Sequence, residues 1–318
     1  MTETPSARRP VCHLALGLGL SVWLVASCSS PQAAPPVAGE TVTGPTEDEP
    51  LDLEGAEKLI ASVEAAWPAD PTERLRQPKT LDDGMQILKR DQVTLFPAGV
   101  ALARSLEGLE AMALEAQLEL AWGESYLVAM AVLQHLSEEL GRVQKALPES
   151  ASPADREWLV KTLRQNDRYA EAFQLLSIAH LTSGSAKADE VMSAHPDSYL
   201  GYRLAADYYR TVRNWARFDA IVTRIEALNP KSNGLVFLKG TAAFARDRDV
   251  AAASRWFTTA LASDREFVRA RAHLVMIQPD LPHMLAELEA LRAANPQHQL
   301  VHFCGPAMDW LQSHRPHD

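Results

Sequence analysis

Apolar residues recur at spacings of three and four along the chain from about residue 52 onward. This spacing places apolar side chains on one face of an α-helix. The stretch is rich in Ala, Leu, Glu and Arg, and it lacks the Val- and Ile-rich runs bounded by Gly turns that are typical of strands. We therefore predict an all-α fold. Because the helical stretch is so long, it favours a solenoid of helical hairpins over one globular core.

Turn signals in this stretch are regularly spaced. The Asn229–Pro230 pair closes one predicted helix, Pro196 lies 34 residues earlier, and Asn295–Pro296 lies 66 residues later. Such a period is typical of repeat architectures, in which each helical hairpin buries its apolar face against its neighbours.

One repeat shows the pattern best, and it begins at Gly234. Its large, small and aromatic positions are Phe237, Gly240, Thr241, Phe244, Ala253, Phe257 and Ala260. These residues resemble the tetratricopeptide repeat (TPR), a helix-turn-helix unit of about 34 residues. The segment Asn166–Ala172 resembles the turn and the start of the second helix of an earlier unit. The resemblance covers about residues 110–296 and implies a TPR-like superhelix.

The remaining parts of the folded body fit the repeat less well. Residues 52–109 are predicted to form a helical N-terminal cap, and residues 183–196 a short extra helix. Residues 297–318 are predicted to form a C-terminal capping helix and tail.

The N-terminus has the pattern of a secretion signal. Arg8 and Arg9 precede an apolar run, Val11–Ala26, which is short for a membrane-spanning helix. The sequence Val25-Ala26-Ser27-Cys28 resembles the lipobox of bacterial lipoproteins, which implies cleavage after residue 27 and lipid attachment to Cys28. An ordinary cleaved signal and an uncleaved anchor remain the alternatives. Ser29, where an Asp would favour the inner membrane, implies an outer-membrane lipoprotein that faces the periplasm.

Residues 28–51 follow as a Pro-rich segment without aromatic residues, which predicts a disordered linker between the lipid and the folded body. The chain carries a formal charge of −10, which argues against a nucleic-acid partner. Of its cysteines, Cys12 lies in the signal and Cys28 is the expected lipid site. Cys304 is then left alone, and we expect it to be a buried small residue.

The TPR resemblance also implies a concave groove lined by the first helix of each unit. In this chain the groove positions are mostly basic: Lys161, Arg164, Arg203, Asp207, Arg210, Arg246, Arg269 and His273. Arg side chains pair with carboxylates through forked hydrogen bonds, so the groove suits an acidic peptide or a chain-terminal carboxylate. The alternative is that these residues belong to ordinary solvated helix faces.

A second cluster could hold a metal. His298 and His302 are one helical turn apart, and Cys304 lies close by in the sequence. Structural zinc usually needs four well-spaced ligands, and ordinary histidines on a capping helix would give the same pattern. We therefore predict no metal and no other cofactor, and we keep these three residues only as candidate ligands.

Known catalytic signatures are missing from the sequence. It contains no His-Glu-x-x-His, no phosphate-binding Gly-rich loop, no Gly-x-Ser-x-Gly and no Cys-x-x-Cys. We expect a non-catalytic, lipid-anchored scaffold that binds envelope proteins through the groove. A metal-binding protein or metal-dependent enzyme, and a structural spacer without a specific ligand, are the alternatives.

Overall fold

The protein is described by a computed structural model that covers residues 50–65, 67, 73–91, 93–148, 151–265 and 267–314. The predicted signal peptide (1–27), Cys28 and the linker up to residue 49 lie outside the described residues. In the described part the fold is all-α, as predicted, with 12 α-helices and no strand. None of the helices described there is both long enough and apolar enough to span a membrane.

The first five helices include two very long ones. They are α1 Leu53–Glu64, α2 Leu81–Arg90, α3 Phe96–Ser105, α4 Leu109–Ala146 and α5 Pro153–Ala194. Seven shorter helices follow: α6 Tyr199–Thr211, α7 Trp215–Leu228, α8 Asn233–Ala245, α9 Val250–Ser263, α10 Val268–Ile277, α11 Leu281–Ala294 and α12 Gln299–Ser313.

Short polar residues determine where most of these helices begin. Their side chains accept a hydrogen bond from a backbone N–H in the first turn, which satisfies a donor that the helix itself leaves free. The capping residues are Asp52, Thr80, Ser152, Ser198, Asn214, Ser232, Asp249, Asp280 and His298. Two turn signals from the sequence, Asn229 and Asn295, lie where α7 and α11 end.

A long antiparallel pair, α4 and α5, forms the centre of the fold and differs from the predicted repeats. The turn predicted at Asn166–Ala172 is absent, because α5 is continuous from Pro153 to Ala194. Asn166 is buried, and its side-chain amide donates to Oγ of Ser137 on α4 at 3.0 Å. The short helix predicted at residues 183–196 is likewise the last part of α5.

Two glycines allow α4 and α5 to approach closely. A Cβ on Gly123 would lie 2.9 Å from the backbone nitrogen of Leu181, and one on Gly184 would lie 2.7 Å from that of Leu120. Neighbouring backbone cannot move aside as a flexible side chain can, so both contacts require glycine.

The folded body starts slightly earlier than predicted. Leu51, which the sequence assigned to the linker, is buried, and its N–H donates to a carboxylate oxygen of Glu171 on α5 at 3.0 Å. Helix α1 then packs along α5, while α2 and α3 pack on α4.

Helices α6 to α11 pack as three successive hairpins, α6/α7, α8/α9 and α10/α11. The hairpin α8/α9 coincides with the repeat predicted from Gly234. In it Phe257 is fully buried and packs so close to Gly240 that an added Cβ would lie 2.6 Å from its ring.

The hairpins curve around α4, so that the chain closes on itself. Helices α6 and α10 both contact α4, α10 also contacts α2, and α12 returns to pack on α4. The closure is fixed by a hydrogen bond from Asn295 to the carbonyl of Arg90 at 3.2 Å, and by an ion pair between Lys89 and Asp264 at 3.0 Å. The inner side of the hairpins therefore faces another helix of the same chain.

Candidate functional site

Three of the predicted groove residues meet at a carboxylate of α4, Glu124. Nη1 of Arg210 on α6 lies 2.6 Å from Oε1 of Glu124, and Nε2 of His273 on α10 lies 3.2 Å from the same oxygen. Nη2 of Arg269, also on α10, donates to Oε2. These three predicted groove residues are therefore paired with a carboxylate of the same chain.

The Glu124 cluster is almost removed from solvent, since Glu124 and His273 are 6% and 5% exposed. Burial by itself would raise the pKa of Glu124, but Arg210 and Arg269, together with His273, lower that pKa well below its usual value. Burial likewise opposes the charge of Arg210, while Glu124 and Asp207 raise its pKa. An ionised carboxylate held by two guanidinium groups is a weak general base, so the cluster suits a structural role.

A second buried group, Asp91, ties α12 to the same region. Asp91 adopts a left-handed backbone conformation after α2, and it accepts a hydrogen bond from Ser125 on α4. Nε2 of His298 lies 3.4 Å from Asp91, and Gln299 donates to the carbonyl of Ser125 at 2.8 Å. His298 is completely buried there, as the N-terminal residue that caps α12.

The three candidate metal ligands have separate environments. His302 stacks on Trp67, with ring centroids 4.3 Å apart, whereas His298 faces Asp91. Burial, together with the charge of His298, lowers the pKa of His302. Cys304 is fully buried, as expected, and burial raises the pKa of its thiol. In the part of the chain that is described, no group of three or more His, Cys, Asp or Glu residues could hold a metal ion.

The other predicted groove residues do not share one surface. Lys161 and Arg164 are exposed on α5. Arg246 ends α8, where it pairs with Asp247 and Asp219, both at 2.6 Å, and these hydrogen bonds raise its pKa. The predicted groove residues on α6 and α10 lie instead at the cleft or at Glu124: Arg203, Asp207, Arg210, Arg269 and His273.

An open cleft lies beside the Glu124 cluster, between α2, α4, α6 and the start of α8. Its volume is about 490 Å³, within the usual range for small-molecule sites. Its walls are mainly apolar: Leu81, Met85, Leu88, Leu114, Leu120, Leu200, Phe237 and Phe267. Arg203, Asp207, Arg210 and Arg269 lie on its polar side.

Two arginines of the cleft have an unsatisfied donor, Nε of Arg210 and Nη1 of Arg203. Arg210 pairs closely with Glu124, whereas Arg203 has no close carboxylate partner. Its Nη1 is buried without a hydrogen-bond partner, and its nearest carboxylate, Asp207, lies 3.9 Å from Nη2. The guanidinium lies against Gly234, where a Cβ would be only 2.6 Å from Nη1. A buried donor without a partner costs free energy, so a ligand oxygen placed here would be stabilising.

Most other polar groups along the cleft already have partners within the protein. The amide of Asn233 donates to the carbonyl of Ala260 at 3.1 Å, and Tyr199 bonds Ser232 across 3.2 Å. Lys89 pairs with Asp264. The buried donors without a partner at the cleft are Nη1 of Arg203 and Nε of Arg210, and the polar side chains of Glu110 and Gln117 also line it.

No known family, curated protein or solved structure matches this chain.

Sequence reasoning selected Arg203, Arg210, Arg269 and His273 but missed Glu124. Glu115, Glu119 and Glu124 occur in a stretch of α4 that is otherwise strongly apolar, and all three are buried. Carboxylates in such a stretch require basic partners. That pattern was the available signal for an internal ion cluster.

Proposed function

We propose that this protein is a non-catalytic binding protein of the cell envelope, which captures its partner in the cleft between α2, α4, α6 and α8. The observation that supports this most directly is the unsatisfied Nη1 of Arg203 beside apolar walls. A cleft with apolar walls and a few aimed polar groups is the usual form of a binding site.

The location belongs to the same proposal. Lipid attachment at Cys28 would hold the protein at the outer membrane, facing the periplasm, and the linker would give the folded body reach. A Cys28→Ser variant should then be released from the membrane fraction, whereas the wild type remains there.

A TPR-like arrangement is proposed for the three hairpins α6–α11 only. Support comes from the fit of the Gly234 repeat to α8/α9, and from the contact between Gly240 and Phe257. Of the scaffold role expected from the sequence, the proposal keeps only the capture of a partner, with the cleft as the binding site.

The test is the retention of a partner by the full chain. The protein is isolated from its own envelope and analysed by mass spectrometry under native conditions, beside Arg203→Gln and Arg255→Gln. Arg255 is an exposed arginine of α9, remote from the cleft lining, and serves as the matched control.

We expect a co-purifying species with the wild type and with Arg255→Gln, and its loss from Arg203→Gln. If all three proteins retain the species equally, the cleft is not its binding site.

A further inference from the structure

We infer that the ligand of the cleft is an amphiphile with one carboxylate and a long apolar body, of which a long-chain fatty acid is the simplest example. This inference rests on the proposed function, because it assigns a chemical class to the partner of the same cleft.

The carboxylate is assigned to Arg203. A planar guanidinium with a free donor recognises a carboxylate through charge-assisted, forked hydrogen bonds. The guanidinium lies at the boundary between the apolar walls and the Glu124 cluster, since Arg203 and Arg210 line the same side of the cleft. Arg210 and Arg269 already pair with Glu124, whereas the nearest carboxylate to Arg203, Asp207, lies 3.9 Å away. Arg203 is therefore the arginine that is best placed to receive a new carboxylate.

The apolar body is assigned to the walls of α2, α4 and α6. Leu81, Met85 and Leu200 lie along the cleft, and Met85 is 44% exposed at its surface. An apolar residue of this size in contact with solvent gains free energy when a hydrocarbon chain covers it.

An extended peptide fits the cleft less well than a hydrocarbon chain. A peptide has an amide N–H and C=O at every residue, and each one needs a partner when it leaves water. Asn233, Ser232 and Tyr199 already have partners of their own, which leaves Gln117 as the uncharged polar side chain of the lining that could pair with a peptide backbone.

Charge also argues against an acidic peptide in this cleft. Glu110 and Asp207 line the cleft together with the arginines, and Glu124 neutralises the cluster beside it. One carboxylate can be accommodated at Arg203, whereas several would meet these acidic groups.

The experiment measures the binding of radiolabelled palmitate by equilibrium dialysis. It uses the full chain carrying Cys28→Ala, so that no acyl group at residue 28 competes for the cleft. Palmityl alcohol, which has the same chain without the carboxylate, reports the contribution of the apolar walls alone. An apolar pentapeptide with a free C-terminus is the protein-like alternative.

We expect saturable binding of palmitate with one site per chain. Arg203→Gln should weaken palmitate binding by about 10- to 100-fold and leave palmityl alcohol binding unchanged. Gly234→Ala, whose added methyl group displaces the guanidinium, should weaken palmitate binding as well. Arg255→Gln should bind both ligands like the wild type, and circular dichroism confirms that each variant is folded.

Several results would overturn the inference. Absent palmitate binding, or equal palmitate binding by wild type and Arg203→Gln, would do so. Arg203-dependent binding of the pentapeptide without binding of palmitate would also overturn it, while leaving the proposed function of the cleft intact. If neither ligand binds and no species co-purifies from the envelope, the proposed function fails as well.

Discussion

Glu64, the last residue of α1, shows how burial alone changes a carboxyl group. Its Oε1 is buried without a hydrogen-bond partner, and burial raises the pKa of the side chain from 4.5 to about 7. The folded protein therefore holds a proton on Glu64 over a range of pH in which the unfolded chain has lost it.

The raised pKa of Glu64 predicts that the protein loses stability as the pH rises from about 4.5 to 7. The folded state binds more protons than the unfolded state across this window, so the free energy of unfolding falls as the pH increases. Glu64→Gln should remove this dependence and be more stable than the wild type at pH 8, by about 1–3 kcal/mol.

The measurement is urea unfolding at pH 4.5 and pH 8. The matched control is Glu57→Gln, an exposed glutamate of the same helix, which should follow the wild type at both values. An equal pH dependence in Glu64→Gln and the wild type would contradict the account of Glu64.

Glu124 predicts the opposite pH dependence. Its pKa is depressed, so the stabilisation that it provides is complete above the pKa of the unfolded carboxyl and is lost as the pH falls through the folded value. Glu124→Gln removes the carboxylate that Arg210 and Arg269 share, and leaves them with the more distant Asp207 at 3.6 Å and Asp91 at 4.0 Å. We expect a loss of about 3–5 kcal/mol at pH 7.

Chemical denaturation of Glu124→Gln at pH 7 tests this prediction. Glu138→Gln, at an exposed position of the same helix, should change the free energy of unfolding by less than about 0.5 kcal/mol. If both variants are equally stable, the Glu124 cluster is not an important source of stability.

At the scale of elements, the pairing of α4 and α5 depends on Gly123 and Gly184. Each replacement by Ala places a methyl group against the backbone of the facing helix, and we expect a loss of about 1–3 kcal/mol. Gly141→Ala is the control, because its added methyl group meets no atom within 4 Å. Since Ala favours the helix, Gly141→Ala should stabilise the protein by up to about 1 kcal/mol.

Thermal unfolding of the three glycine variants decides between close packing and helix propensity. Stabilisation by all three replacements would show that α4 and α5 can separate without cost, which contradicts the geometry.

The sequence predicted the short hairpins more accurately than the long pair. Around Gly240 and Phe257, the sizes of the side chains determine which residues contact each other. These sizes can be read directly from the local sequence. Asn166–Ala172 has the composition of a turn, but Asn166 finds its partner on the other long helix. A tertiary contact of this kind overrides local propensity and has no signature in the neighbouring residues.

At the scale of the whole molecule, the hairpins close around a helix of the same chain. The inward-facing residues of α6 and α10 could be found from the repeat pattern. The helix that they contact, α4, could not. Glu124 is separated from Arg210 by 86 residues and from Arg269 by 145, and no repeat pattern encodes such a pairing. The cleft exists only because α2 and α4 approach α6 and α8, so it too was beyond sequence reasoning.

We propose that the cleft, rather than the outer surface, holds the partner. A photo-crosslinking amino acid at position 85 reports on the cleft, where Met85 is 44% exposed. The same substitution at position 178 reports on the outside of α5, where Ile178 is 40% exposed. The two residues are therefore matched in accessibility and differ in location.

The one measurement that we would make is the yield of adducts after irradiation of intact cells that carry either variant. We predict an adduct of defined mass at position 85, a lower yield of this adduct when Arg203→Gln is added, and little adduct at position 178. Equal yields at the two positions, or an adduct confined to position 178, would contradict this proposal.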